Sequence, residues 1–159
     1  MHIPEYLWHG SPKKNLKEIV PGKIKNSNHP REVFASAQPV VAALFTLSPD
    51  TVHFLFDLLN QRIFVPDAKE FVSKDRGGSI YQVTGDFRLS ADTNIFEYEA
   101  PRAKIIQTMV IQSARSFLVS HHFELYADQN GFEEIENFWA EKLVYPVAVP
   151  RGLKPFAIY

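Results

Sequence analysis

Apolar and polar positions along this chain cluster and alternate over short spans. Tyr6-Leu7-Trp8 is an aromatic-rich run that stops at His9-Gly10-Ser11, with Pro12 closing it. It predicts a short buried strand. Asn15 to Val20 predicts a short helical turn ahead of Pro21-Gly22. Residues 21–30, rich in Lys, Asn, Ser, Pro and Gly, predict an exposed loop. Glu32 to Ser36 reads as a second strand and leads into a helix over Gln38 to Phe45. Pro39 suits a helix start because its missing N–H is not needed there, and Ser36 is the candidate cap. That helix is apolar almost all round, so it is expected to be buried, with Pro49-Asp50 ending it.

Thr51 to Asn60 fits both periods: Val52, Phe54 and Phe56 alternate, while Phe54, Leu55, Leu58 and Leu59 recur as in a helix. Arg62 to Val65 is strand-like. Asp67 to Arg76 is polar and predicts a surface segment, and Gly77-Gly78 a turn. Ser79 to Val83 alternates cleanly. Asp86 to Leu89 and Ile95 to Glu99 predict further short strands. The apolar run inside Arg102 to Gln112 predicts an interior strand. Ser113 to Tyr126 reads as helix up to about His121. Phe132, Ile135, Phe138, Trp139 and Leu143 recur at helical spacing, a stripe of core packing, with glutamates opposite and near the helix start. The tail from Tyr145 to Tyr159 is Pro-rich and reads as extended. No repeat, low-complexity tract or linker divides the chain. Periodicity alone therefore supports a single α+β domain over residues 1–159.

Composition narrows the function classes. The 159 residues are enough for one core, and 45% hydrophobic with 13% aromatic content is globular. A formal net charge of −1 gives no global basic field, so nucleic acid is not indicated as a partner. There is no cysteine, which excludes disulfides, thiolate metal sites and a Cys nucleophile, and suits a reducing cytoplasm, the expected location. The N-terminus lacks a basic segment followed by an apolar one, so no signal peptide is expected. No apolar run approaches bilayer length, so no membrane partner is expected. Lys23, Lys25 and Arg31 make one loop locally basic, which serves solubility or forms an anion-facing rim beside His9.

The candidate chemistry starts at His9-Gly10-Ser11. A ring nitrogen, a main chain without a Cβ and a hydroxyl stand at one strand end, and Gly10 leaves room for a ligand to approach the backbone. The plainer alternative is a strand followed by a turn, with His9 hydrogen-bonded in the core. Glu97 and Glu99 lie two apart and share a face on a strand; a solvated strand edge is the alternative. His121-His122 with Glu124 is read as a surface turn, since adjacent side chains diverge on helix and strand alike, and no metal site is expected. Arg115, His29 and the pair Lys13-Lys14 could face phosphates, but scattered basic residues are read as solvated.

Leu7-Trp8-His9-Gly10-Ser11 resembles the LWHGS segment of the poly(ADP-ribose) polymerases, within the wider ADP-ribosyltransferase superfamily. That family's next block is a strand reading YFA followed by a helix with small residues and an aromatic; here Val33-Phe34-Ala35-Ser36 precedes Ala42, Ala43 and Phe45. Its third block is a Glu on a later strand, often followed by Tyr; here Glu97-Tyr98 follows Ile95-Phe96. The blocks span residues 6–99 in the family's order.

The resemblance implies split antiparallel β-sheets with flanking helices and NAD, as substrate, in the cleft between them. It implies that Glu97 stabilises the oxocarbenium-like charge as the nicotinamide–ribose bond breaks. His9 would hydrogen-bond the adenosine ribose, and Gly10 would offer its backbone to the nicotinamide carboxamide. Ser11 would sit against the ribose of the adenosine half, and Phe45 is the best-placed ring to stack on nicotinamide. The chain also departs from the family. Either Val33 or Phe34 stands where a Tyr belongs, and neither has a phenol hydroxyl; Phe34 keeps the aromatic wall. Arg31-Glu32 stands where a Gly usually precedes the second strand. Glu97 and Glu99 both remain candidates for the carboxylate.

Three functions follow. The first is an ADP-ribosyltransferase or NAD glycohydrolase with an unidentified acceptor. The second is a module that binds an NAD-like ligand or a partner without catalysis. The third, resembling the RNA 2′-phosphotransferases, calls for a basic cleft with further Arg and His residues that the sequence does not supply.

Overall fold

The computed structural model describes residues 2–21, 32–47, 53–90, 97–134, 152 and 154–156. The loop expected over 21–30 (all but Pro21), the helix end at Pro49-Asp50, the strand start at Ile95-Phe96, most of the glutamate-faced helix and nearly all of the tail lie outside these residues. The chain divides into two compact units, Met1–Thr46 with Gly77–Ile111 and Leu47–Arg76 with Gln112–Tyr159. The fold is α+β, with a mostly antiparallel sheet and a few short helices. Among the described residues no helix is long and apolar enough to cross a membrane.

The first unit holds strands β1 (Leu7–Ser11), β2 (Val33–Ser36), β5 (Gly78–Thr84), β6 (Arg88–Leu89), β7 (Glu97–Ala100) and β8 (Lys104–Ile111), and helix α1 (Pro39–Leu44). They form a six-stranded sheet in the order β6-β7-β2-β1-β5-β8, antiparallel at every pairing. The ladders are uneven. β1 pairs with β5 over its whole length, Leu7↔Val83 to Ser11↔Ser79, and β2 pairs with β7 over its whole length, Val33↔Ala100 to Ser36↔Glu97. Between β1 and β2 the register is the single pair Trp8↔Ser36. The sheet is thus two three-stranded halves joined at one seam. Alternation puts Leu7, Val33, Ala35, Tyr81, Val83 and Tyr98 on one face, where they form the unit's core.

Helix α1 forms where Pro39 fixes φ at its first turn and Ala42, Ala43 and Leu44 favour helix. It is buried on all sides, Val40 to Leu44, as its composition required. Ser36 does not cap it. Gln38 holds the cap position without a side-chain bond, and the Ser36 hydroxyl accepts from the Gln38 N–H in a tight turn before the helix. Two further expectations are corrected. Asn15 to Val20 is not a helical turn, because Ile19 exchanges two backbone bonds with Ala103 and is held extended. β8 is not an interior strand. It is the outermost strand of the sheet, with Ile106 48% and Val110 57% exposed, since an apolar run has the same composition whether or not another element covers it.

The second unit contains β3 (Leu55–Asp57), β4 (Arg62–Val65) and β9 (Glu124–Ala127) in the order β3-β4-β9, with β4 and β9 parallel. Its helices are α2 (Ala68–Lys74) and α3 (Ala114–Ser120), and residues 129–134 are helical too. α2 forms within the expected polar surface segment. Asp67 caps it by accepting the Glu70 N–H at 2.9 Å, and Phe71 alone of its residues is buried. α3 ends at Ser120 with His121 as its C-cap, where the helical reading stops.

Candidate functional site

The predicted site residues lie around the seam between β1 and β2. His9 and Gly10 follow Trp8 on β1, past the last pair with β2, and Phe34 lies on the β2 side. Glu97 pairs with Ser36, and Ser36 with Trp8, so these three side chains form one row across β7, β2 and β1. With strands spaced roughly 4.8 Å apart, the Glu97 backbone lies about 10 Å from that of Trp8. Glu99 and Phe34 form the next row on the same face. Val33 is in the core at 2% exposure and Phe34 is 38% exposed, so Phe34 is the ring on the glutamate face.

His9 leaves the other face of the pleat, with Tyr81, whose ring is 6.5 Å away and tilted. Where β1 leaves β2, its Nδ1 meets the Phe34 carbonyl at 2.7 Å. A carbonyl only accepts, so Nδ1 carries the proton and Nε2 is left as an acceptor in the neutral ring. Burial favours that neutral ring and lowers the His9 pKa, with the Phe34 carbonyl opposing the shift. No hydrogen bond or ion pair joins His9 to Glu97 among the described residues.

Gly10 is required for a different reason than the one expected. A Cβ there would lie 1.7 Å from the Ala42 carbonyl oxygen and 3.2 Å from the Phe45 Cβ. The missing side chain makes room for helix α1, and that helix brings Phe45 beside Gly10. Ser11 is buried, and its hydroxyl accepts the Lys13 N–H at 3.2 Å, which starts the turn after the strand. Tyr81 holds that turn from below, donating to the Lys13 carbonyl and accepting from the Leu16 N–H.

The two glutamates differ in their partners. Glu99 accepts from Arg88 Nε at 2.9 Å, and Arg88 also reaches Glu32 at 3.2 Å. The Glu97 carboxyl has no hydrogen-bond or ion-pair partner among the described residues. Burial, and then the negative charge of Glu99, push its pKa from 4.5 up to about 7. Arg88 was not among the predicted site residues; its role depends on the cross-strand pairs Arg88↔Glu99 and Phe34↔Glu99, which become visible only with the register. Among the described residues no group of three or more His, Cys, Asp or Glu is placed to hold a metal ion.

Compared with protein-family models, with curated proteins and with solved structures, the chain gives no match. Fold and site together define an α+β protein whose largest sheet is split at one seam. A neutral histidine borders the seam, and a part-buried carboxyl sits one strand away.

Proposed function

We propose that the chain is an NAD-dependent ADP-ribosyltransferase or NAD glycohydrolase, with Glu97 facing the bond that breaks. One observation carries the reading: Glu97 is a part-buried carboxyl with no side-chain partner among the described residues, one strand from the seam between two antiparallel half-sheets. The resemblance of Leu7 to Ser11 to the poly(ADP-ribose) polymerase segment supports it. NAD lodges in the seam and meets side chains from both faces of the pleat. His9 Nε2 accepts a hydroxyl of the adenosine ribose, and Ser11 sits against the same half of the molecule. Gly10 meets the carboxamide through its backbone, and Phe34 and Phe45 supply the aromatic wall. The C1′–N bond breaks with its electron pair going to the nicotinamide ring, which departs neutral. Ionised Glu97 stabilises the positive charge left on the ribose, and low local polarity strengthens that interaction. Water or an acceptor nucleophile then bonds to C1′ and loses a proton. Turnover therefore rises with pH through about 7 as Glu97 ionises. We place the protein in the cytoplasm, which its lack of cysteine suits.

NAD titration by calorimetry, with nicotinamide release followed in the same samples, tests this for wild type and Glu97→Gln. Binding with release that falls roughly a hundredfold or more in the variant is expected. Absence of NAD binding overturns the reading. One observation favours a non-catalytic module: the ring on the glutamate face, Phe34, has no hydroxyl where the family has Tyr. Binding by both proteins with release by neither, across candidate acceptors, would select that alternative.

A further inference from the structure

A groove of about 610 Å³ opens at the other end of β5 from Ser11. Thr84, on its wall, lies five residues from Ser79, the partner of Ser11, which is roughly 17 Å along the strand. Two local features build the groove. The Ile19–Ala103 bridge holds Lys17 and Glu18 beside the start of β8, through backbone bonds of 3.3 and 3.1 Å. The turn after β5 lies close against the same segment. A Cβ at Gly85 would stand 2.9 Å from the Arg102 carbonyl oxygen, a spacing that suits glycine.

Three cations, Lys17, Arg102 and Lys104, come from these segments to line one space. None forms an ion pair among the described residues, although Glu18 and Asp86 line the same groove. Three cations against two carboxylates leave the groove a net charge of +1, and cations held out of ion pairs attract an anion. The volume falls within the range of small-molecule sites, roughly 300–1,000 Å³, and exceeds what one phosphate fills. The two carboxylates repel a polyanion but accept hydrogen bonds from hydroxyls.

We infer that this groove binds a small hydroxyl-bearing diphosphate of the nucleoside-diphosphate kind. The diphosphate lies against Lys17, Arg102 and Lys104, and the ribose hydroxyls donate to Glu18 or Asp86. The site stands independently of any chemistry at the seam.

The test titrates the full chain with ADP, with 2′,3′-dideoxy-ADP and with inorganic diphosphate at constant ionic strength. It compares wild type with Arg102→Gln/Lys104→Gln and with the charge-matched control Lys13→Gln/Lys14→Gln. All four substituted side chains are exposed, so thermal melting should report unchanged folds. ADP and diphosphate should bind, the dideoxy compound should bind more weakly than ADP, and the groove variant should weaken ADP roughly tenfold or more. The control should retain wild-type affinity. The inference is overturned if no binding is seen up to roughly millimolar ADP, or if the groove variant binds as wild type does. It is equally overturned if the loss follows the control, which would put the ligand beside Ser11.

Discussion

Asp75 in the second unit and Glu97 in the first are both carboxylates drawn out of water, and their surroundings treat them in opposite ways. Both carboxylate oxygens of Asp75 are in use. One oxygen takes the Ala114 N–H at 2.6 Å, and the other takes the Arg115 N–H at 3.0 Å. The Arg115 Nε lies 3.4 Å from that second oxygen, close enough for an ion pair but misaligned for a hydrogen bond. Asp75 is thus committed to starting α3, which the Ser113 hydroxyl caps as well. Glu97 is penalised by burial too, and among the described residues its carboxyl receives no bond in return. The fold uses Asp75 to hold itself together, whereas the Glu97 carboxyl holds no other described residue in place. A buried polar group without a structural partner is where a ligand is to be sought.

The largest effect that could break this contrast is at Asp75. Asp75→Ala leaves two helix N–H groups and the Arg115 guanidinium without their acceptor, and should cost about 3–5 kcal/mol in urea unfolding. A variant as stable as wild type would mean that the Asp75 bonds are not structural, and the comparison would collapse.

Glu97→Gln should act in the opposite direction, and only above acidic pH. The folded chain keeps a proton on Glu97 up to about pH 7, whereas the unfolded chain releases it near 4.5. Between those values the folded state binds more protons, so stability falls as pH rises. The loss is absent below the lower value and complete above the upper one. At about 1.4 kcal/mol per unit it approaches roughly 3 kcal/mol. The glutamine variant should match wild type at pH 4 and exceed it at pH 8. Parallel stability profiles for the two proteins would show that Glu97 is not strained in the fold.

Much of this contrast lay beyond the sequence. The strands around the seam were legible because Leu7 to Ser11, Val33 to Ser36 and Ser79 to Val83 are short runs bounded by turn residues, and α1 because its apolar residues are continuous. α2 was not, because it buries Phe71 alone and so lacks a stripe; its Asp67-x-x-Glu70 spacing was the available signal. β8 was misread because burial depends on neighbours, which its own composition does not encode. At the site, the spacing of Glu97 and Glu99 correctly implied a shared face. Which of them is unpaired depends on Arg88, nine residues or more away in sequence and adjacent only through the β6–β7 register. The separation of His9 and Glu97 onto opposite faces likewise follows from pairing, not from either residue's neighbours.

The smallest effect sharpens the comparison within one strand. Arg88 is exposed and binds Glu99, not Glu97. It should therefore matter little to stability, since exposed pairs are weak. It should matter to Glu97 through charge. With Arg88 in place, the negative charge of Glu99 is partly neutralised, and what remains still raises the Glu97 pKa, second to burial. Arg88→Gln removes the neutralising cation, so Glu99 repels the Glu97 carboxylate more strongly and the Glu97 pKa should rise above its value of about 7. Arg88→Lys should restore most of the original value, because it keeps the charge and loses only the fork geometry. Carbon-detected NMR titration of the glutamate carboxyls reads both shifts directly. High salt should shrink the difference between wild type and Arg88→Gln, because Arg88 is open to solvent. A Glu97 titration that ignores Arg88 would mean that Glu99 does not reach Glu97 electrostatically. Burial alone would then account for the raised pKa, and the two glutamates of β7 would act as independent groups.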